Sequence, residues 1–202
     1  MKKTTWAVMI LICFSSFCSN AQKSSIDLQT SKKILIVYLS RTNNTKVIAE
    51  IIHDNVGGDL VAIELQNPYP ANYKQTVDQV SKENETDYLP SLKTKIENIE
   101  KYDVVFVGFP TWGMQLPPPM KSFLKQYNLS GKTVIPFNTN AGYGVGSGFE
   151  TVKKLCNKST ILEGFEIKGG KEKDGILFVM KGDKKVKAIT EVQQWLQKIK
   201  IK

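Results

Sequence analysis

The chain has 202 residues, 41% of them hydrophobic, a size that supports one domain around one core. Its formal charge of +9 comes mostly from lysine, but no aromatic-basic binding motif accompanies it, which argues against nucleic acid and leaves a solvated basic face or attraction to anionic partners and lipid head groups. With three cysteines and one histidine, a cysteine metal cluster is excluded, and so is an internal disulfide once the N-terminal segment carrying two of the cysteines is set aside.

Residues 1–21 read as an export signal. Lys2 and Lys3 form a charged start, Trp6 to Phe14 is mostly apolar, and Ser19 and Ala21 are small residues at signal-peptidase spacing. The apolar part is too short to span a bilayer as a helix. Lys-Lys is not a twin arginine, so export proceeds with the chain unfolded. Lipid attachment at Cys18 is the alternative, but Phe17 is bulky where that signal wants a small residue, so a membrane location depends on that modification. The reading is therefore a periplasmic or secreted protein. Residues 22–31 are a polar tether, and 32–202 form the folded domain. Removing Lys2 and Lys3 leaves +7, with many of the lysines in the last third of the chain.

Ile34 to Leu39 is an unbroken apolar run, the pattern of a strand buried on both faces of a parallel sheet. It stops at Ser40, and Ser40, Thr42, Thr45 and two asparagines follow before a helix pattern begins. A hydroxyl-rich turn at a helix start collects free N–H groups, hydroxyl donors and the positive end of the helix dipole, and a phosphate is the expected guest. An ordinary N-capped helix is the other reading. There is no Gly-rich dinucleotide repeat and no Gly-Lys-Ser/Thr, so neither a dinucleotide nor a triphosphate site is indicated.

The first helix ends at Gly57-Gly58, and Asp59 to Leu65 reads as a second strand. Asn67-Pro-Tyr-Pro70 is a rigid turn, Tyr73 to Asn84 a polar helix, and Lys93 to Glu100 a short second helix. Asp103 to Phe109 is a third strand. Pro117-Pro-Pro119 opens a helix through Tyr127, using the tolerance for Pro in a first turn. Thr133 to Phe137 is a fourth strand, Gly146 to Asn157 a helix, Leu162 to Ile167 a fifth strand, and Lys184 to Ile199 a closing helix. Gly175 to Met180 is an extra segment that suggests a short edge hairpin with Gly169-Gly170. His53 falls off the apolar face of the first helix, and Cys156 follows Phe149, Val152 and Leu155 at helical spacing, so a solvated histidine and a core thiol are expected. No catalytic nucleophile or general acid stands out, and no metal ligands.

Alternating strands and helices imply an α/β fold: a five-stranded parallel sheet in the doubly wound order 2-1-3-4-5, three layers, with ligands at the strand C-termini. Three distinctive loops fall there. They are the hydroxyl turn; Gly108-Phe-Pro-Thr-Trp-Gly-Met-Gln-Leu-Pro117; and Asn138-Thr-Asn-Ala-Gly-Tyr-Gly-Val-Gly-Ser-Gly148. Trp112 alone reads as a core or surface aromatic, and the third loop alone as a mobile linker. Together they offer planar walls, Trp112 and Tyr143, and a glycine-rich main chain that a ligand can approach closely.

The series Ser-Arg-Thr-x-Asn-Thr-Lys, Asn-Pro-Tyr-Pro, Tyr-Asp-Val-Val-Phe-Val-Gly-Phe-Pro-Thr-Trp and the Pro-rich helix start resembles the short-chain, FMN-binding, flavodoxin-like family from Lys33 to Ile199. The resemblance implies a flavodoxin-like fold and FMN as cofactor. It places the FMN phosphate on Ser40, Arg41, Thr42, Asn44 and Thr45, with Asn43 where the family usually has Gly; Asn tolerates the left-handed conformation. Pro110, Thr111, Trp112 and Gly113 would line one side of the ring, and Asn138, Thr139, Asn140, Ala141, Gly142, Tyr143 and Gly144 the other. The implied function is electron transfer to a redox partner protein, or reduction of a small acceptor such as a quinone with NAD(P)H as donor, outside the cytoplasm. The alternative is a binding module that keeps the fold and has lost the flavin. Typical flavodoxins are acidic and cytoplasmic; this chain is basic and carries the export pattern.

Overall fold

The computed structural model describes residues 32–201; the expected export signal and tether lie outside the described residues. Strands β1 (Ile34–Tyr38), β2 (Asp59–Ala62), β3 (Val104–Pro110) and β4 (Thr133–Asn140) are all parallel, in the order β2-β1-β3-β4. Beyond β4 come two short strands, β5 (Thr160–Ile161) and β6 (Phe165–Lys168), both parallel to β4. The sheet has the 2-1-3-4-5 order expected from the sequence, with its fifth strand broken in two.

Pro136 explains the break. The Val134 carbonyl accepts from Leu162 N–H, so alternate residues of β4 face the outer strand, and Pro136 is the next of them. It has no N–H to donate there. The register then slips: Ile161 pairs with Val134 but Phe165 with Phe137, so one extra residue bulges out. The Glu163 carbonyl, freed by the bulge, accepts from the Trp195 indole N–H at 2.9 Å.

Side chains of β1 and β3 alternate between two cores, as a sheet covered on both faces requires. Leu35, Val37, Val105, Val107 and Phe109 pack on one side with Met120 and Phe123 of α3 (Pro118–Gln126) and Val152 of α4 (Gly148–Leu155). Ile36, Tyr38, Val104 and Phe106 pack on the other with Ile48 and Ile52 of α1 (Asn44–Val56) and Val192 and Trp195 of α5 (Gly182–Lys198). Each fully buried side chain of this size contributes about 1.5–3 kcal/mol before entropy is counted. A further helix, α2 (Tyr73–Glu85), lies beside α3.

Several boundaries differ from the sequence pattern. The second strand stops at Ala62, and Leu65 makes only an isolated antiparallel bridge with Leu92. The helix expected over 93–100 does not form. Lys93 and Thr94 donate their N–H groups to the Glu64 carbonyl, Ile96 N–H goes to the Tyr127 hydroxyl, and Asn98 is left-handed at φ 53°. Only a 3₁₀ turn, Ile99–Lys101, remains. The expected edge hairpin is a tight turn: Lys171 and Ile176 exchange both backbone hydrogen bonds around a 3₁₀ turn at Glu172–Asp174. The fourth strand runs three residues past its expected end, to Asn140.

Candidate functional site: a cleft at the carboxyl ends of the strands

The turn after β1 is built around Asn43, which adopts φ 62°, the left-handed conformation that the sequence permits there. This folds Ser40 back so that its Oγ accepts the Lys46 N–H at 3.3 Å. N–H groups of the first helical turn have no intrahelical acceptor, and the first turn of α1 holds no acidic residue. Those of Asn44 and Thr45 therefore remain as donors at the positive end of the helix. Thr45, 1% exposed, shares a hydrogen bond with the Thr139 hydroxyl at 2.8 Å, which ties the turn to the end of β4.

Two side chains of this turn are engaged elsewhere in the fold. Asn44 Nδ2 donates to Thr42 Oγ1 at 2.8 Å and to the Leu177 carbonyl at 2.6 Å, and its Oδ1 accepts Val179 N–H at 3.0 Å. Arg41 Nε donates to both Glu172 oxygens, at 2.9 and 3.1 Å, while Nη1 and Nη2 reach the carbonyls of Pro70 and Ala71. Both residues thus hold the segment 169–180 against the turn, and Arg41 also holds the approach to α2. That segment is drawn in closely: a Cβ at Gly170 would lie 2.1 Å from the Leu177 carbonyl oxygen.

The loops after β3 and β4 are fastened to each other. Trp112 and Gln115 close a tight turn with Gly113 at φ 56° and Met114 at φ 59°, the pair of positive angles that a type I′ turn needs. The Met114 carbonyl accepts the Ser147 N–H at 2.9 Å. A side chain at Gly146 would collide with that carbonyl, its Cβ at 2.1 Å. Thr111 Oγ1 donates to the Gly144 carbonyl at 3.0 Å. Asn138, fully buried, donates to the Phe109 carbonyl, and Asn140 Oδ1 accepts the N–H groups of Gly142 and Gly144. Trp112 is propped edge-on by Tyr69, ring centroids 5.4 Å apart. Tyr69 in turn donates its hydroxyl to buried Glu83, and burial together with that carboxylate pushes its pKa well above the ordinary phenol range.

A cleft of about 620 Å³ lies between these parts. Arg41, Thr42, Asn44, Thr45, Pro110 to Gly113, Thr139 to Ala141, Tyr143 and Gly144 line it, so all three expected loops meet there. Ser40, Asn43, Asn138 and Gly142 are not on its wall. Tyr143 is 66% exposed, with the Lys171 ammonium 5.5 Å from its ring centroid. Two parts of the wall were not read from the sequence: the 169–173 segment, and the α2 face that includes Tyr73, Val77, Val80 and Asn84. Spacing of 73, 77, 80 and 84 on a polar helix was the available signal. Cys156 is buried and its thiol is pushed up to about 11 by burial, the state of an inert core cysteine.

The flavodoxin family model matches residues 33–181. Among solved structures, a candidate flavoprotein from Bacteroides eggerthii DSM 20697 is 32% identical, with TM-score 0.67 over 85% of this chain and 99% of that one. A candidate flavoprotein from Bacteroides uniformis ATCC 8492 is 22% identical, with TM-score 0.67 over 83% and 99%. A flavoprotein from Lactobacillus acidophilus NCFM, solved in complex with FMN, is 22% identical, with TM-score 0.62 over 67% and 93%. No curated protein matches the chain. The family match spans all three cleft-forming loops, and the chain belongs to the flavodoxin family.

Proposed function

We propose that the chain is an FMN-binding redox protein working outside the cytoplasm, passing electrons to a partner protein or to a small acceptor such as a quinone. The observation that carries this reading is the convergence of the hydroxyl turn, Trp112 and the end of β4 on one cleft. The residues present suit the cofactor. A phosphate monoester would take the first-turn N–H groups of Asn44 and Thr45 and the Thr42 hydroxyl. A flat ring would find the Trp112 indole and the Tyr143 phenol on the cleft wall, and Gly113 and Gly144 have no heavy atom closer than 4.0 Å to where a Cβ would sit. Main-chain groups at Ala141 are the candidates for its pyrimidine edge, since those of Gly144 are already engaged by Asn140 and Thr111.

Bound FMN would supply the electron chemistry, and the chain supplies position and electrostatics. Arg41 and Asn44 hold the cleft's outer wall in place, and Tyr69 holds Trp112. No side chain is required as nucleophile or general acid. The flavoprotein from L. acidophilus supports the cofactor assignment, and residues 1–21 support export. Titration of the chain with FMN, followed by the visible spectrum and flavin fluorescence, should saturate at one FMN per chain. NAD(P)H oxidation in the presence of a quinone separates a reductase from a pure carrier. A chain that leaves the flavin spectrum unchanged contradicts the proposal.

A further inference from the structure

We propose that the half of the cleft walled by α2 is a separate subsite for a flat, neutral, carbonyl-bearing aromatic molecule of the quinone class. The inference rests on the reading of the opposite half as the FMN site and adds where, and by which residues, an acceptor is held.

Helix α2 has the sequence Tyr-Lys-Gln-Thr-Val-Asp-Gln-Val-Ser-Lys-Glu-Asn-Glu, a polar helix with few apolar residues. Its inner side buries Thr76, Val80 and Glu83. Tyr73 and Val77, one turn apart, remain 40% and 44% exposed and line the cleft. Met114, at the tip of its turn, is 45% exposed and lines the same cleft. Three large apolar side chains are thus left open to one concave space, the usual mark of a ligand-binding wall. The helix that carries two of them is fixed: Asn72 caps it through Gln75 N–H, and Thr76 Oγ1 donates to the Pro70 carbonyl.

At the far end of this stripe Asn84 lines the cleft, and its Oδ1 accepts from Lys121 Nζ at 2.9 Å. An ammonium only donates, so this contact fixes the amide with its NH₂ group left as a donor. Lys121 is itself partly buried, and that burial pulls its pKa below the ordinary lysine range. An apolar stripe ending in an oriented N–H donor matches a ring bearing a carbonyl oxygen. Glu85 on this wall is offset by the Lys121 ammonium behind Asn84, so the wall has no net charge to attract an ion, which suits a neutral ligand. The contacts assigned to FMN come from the turn after β1 and from the ends of β3 and β4, so none of them is taken from α2.

The test uses the full chain and 2,3-dimethyl-1,4-naphthoquinone, whose blocked ring positions prevent addition to cysteine. FMN affinity is measured first by fluorescence. Quinone affinity is then measured by calorimetry on FMN-loaded protein kept oxidised, so that no turnover contributes. Val77→Asp should weaken the quinone at least tenfold and Asn84→Asp at least fivefold, each leaving FMN affinity within twofold of the unsubstituted chain. Equal quinone affinity in all three proteins would overturn the subsite, as would absence of quinone binding to the FMN-loaded chain. Parallel loss of FMN and quinone would overturn it differently, by assigning the α2 wall to the flavin itself. Failure of the unsubstituted chain to take FMN shows in the first measurement alone and removes the underlying reading together with this one.

Discussion

Arg41 and Glu172, separated by 131 positions in sequence, meet in a two-point contact at 2.9 and 3.1 Å, and the same guanidinium also reaches the carbonyls of Pro70 and Ala71. One side chain therefore joins the turn after β1, the approach to α2 and the segment 169–180. Both partners are about one-fifth exposed, so the contact is only partly screened. Arg41→Ala should destabilise the chain by about 1–3 kcal/mol in urea unfolding. Arg41→Lys should restore less than half of that, because a single ammonium does not reproduce the planar fork. Full rescue by lysine would reduce the contact to simple charge.

Asn44 offers a second handle on the same segment. Replacing it with Ala leaves the Leu177 carbonyl and Val179 N–H without their partner, a cost of about 1–3 kcal/mol. The consequence is local: trypsin should cut at Lys171 or Lys173 several-fold faster in Asn44→Ala. Unchanged cleavage would show that the Lys171–Ile176 turn and the Arg41 contact hold the segment without Asn44.

Trp112 should report flavin binding directly. Its fluorescence is expected to be quenched by FMN, and Trp112→Ala to weaken FMN by about 1 kcal/mol beyond the lost area. Tyr69→Phe keeps the edge-on ring contact but breaks the hydrogen bond to Glu83. That variant should cost stability while leaving most of the quenching in place. Quenching that persists unchanged in Trp112→Ala would move the ring away from this wall.

Cys156 gives a pH prediction. Burial raises its folded pKa from 9.0 to about 11, while the unfolded chain ionises at the lower value. The thiol therefore contributes full stability below pH 9, and that contribution is lost as pH rises from 9 towards 11. The loss should approach about 2–3 kcal/mol. Cys156→Ala should flatten this part of the stability profile relative to the unsubstituted chain. Parallel profiles for the two proteins would show that other groups, such as the buried tyrosines, dominate the alkaline limb.

The strand order and the meeting of the three loops were legible because they rest on strong local patterns: the apolar run Ile34 to Leu39, Asp103 to Phe109, and the hydroxyl turn. Asn43 in its left-handed conformation was legible for the same reason, since few other residues accept that angle. What sequence hid was tertiary. The effect of Pro136 on the outer strand depends on which side of β4 it faces, and that needs the register. The contacts of Arg41 with Glu172 and of Asn44 with Leu177 and Val179 span more than a hundred residues, to a segment with no functional signature of its own. Asn138, Thr139 and Asn140 read as loop because they are polar, yet they complete β4, their buried side chains satisfied by neighbouring loops and by Glu166. The α2 wall was missed because Tyr73 and Val77 are isolated apolar residues in a polar helix, below the threshold of an amphipathic pattern.

A paired titration decides whether the turn after β1 holds the phosphate of FMN. FMN and riboflavin differ only by that phosphate, so each protein acts as its own control for correct folding. In the unsubstituted chain FMN should bind more tightly than riboflavin. Thr42→Ala combined with Thr45→Ala should weaken FMN by tenfold or more and riboflavin by less than threefold, closing most of the gap. Equal loss for both ligands, or equal affinity for both in the unsubstituted chain, would contradict the account by showing that the turn does not read the phosphate.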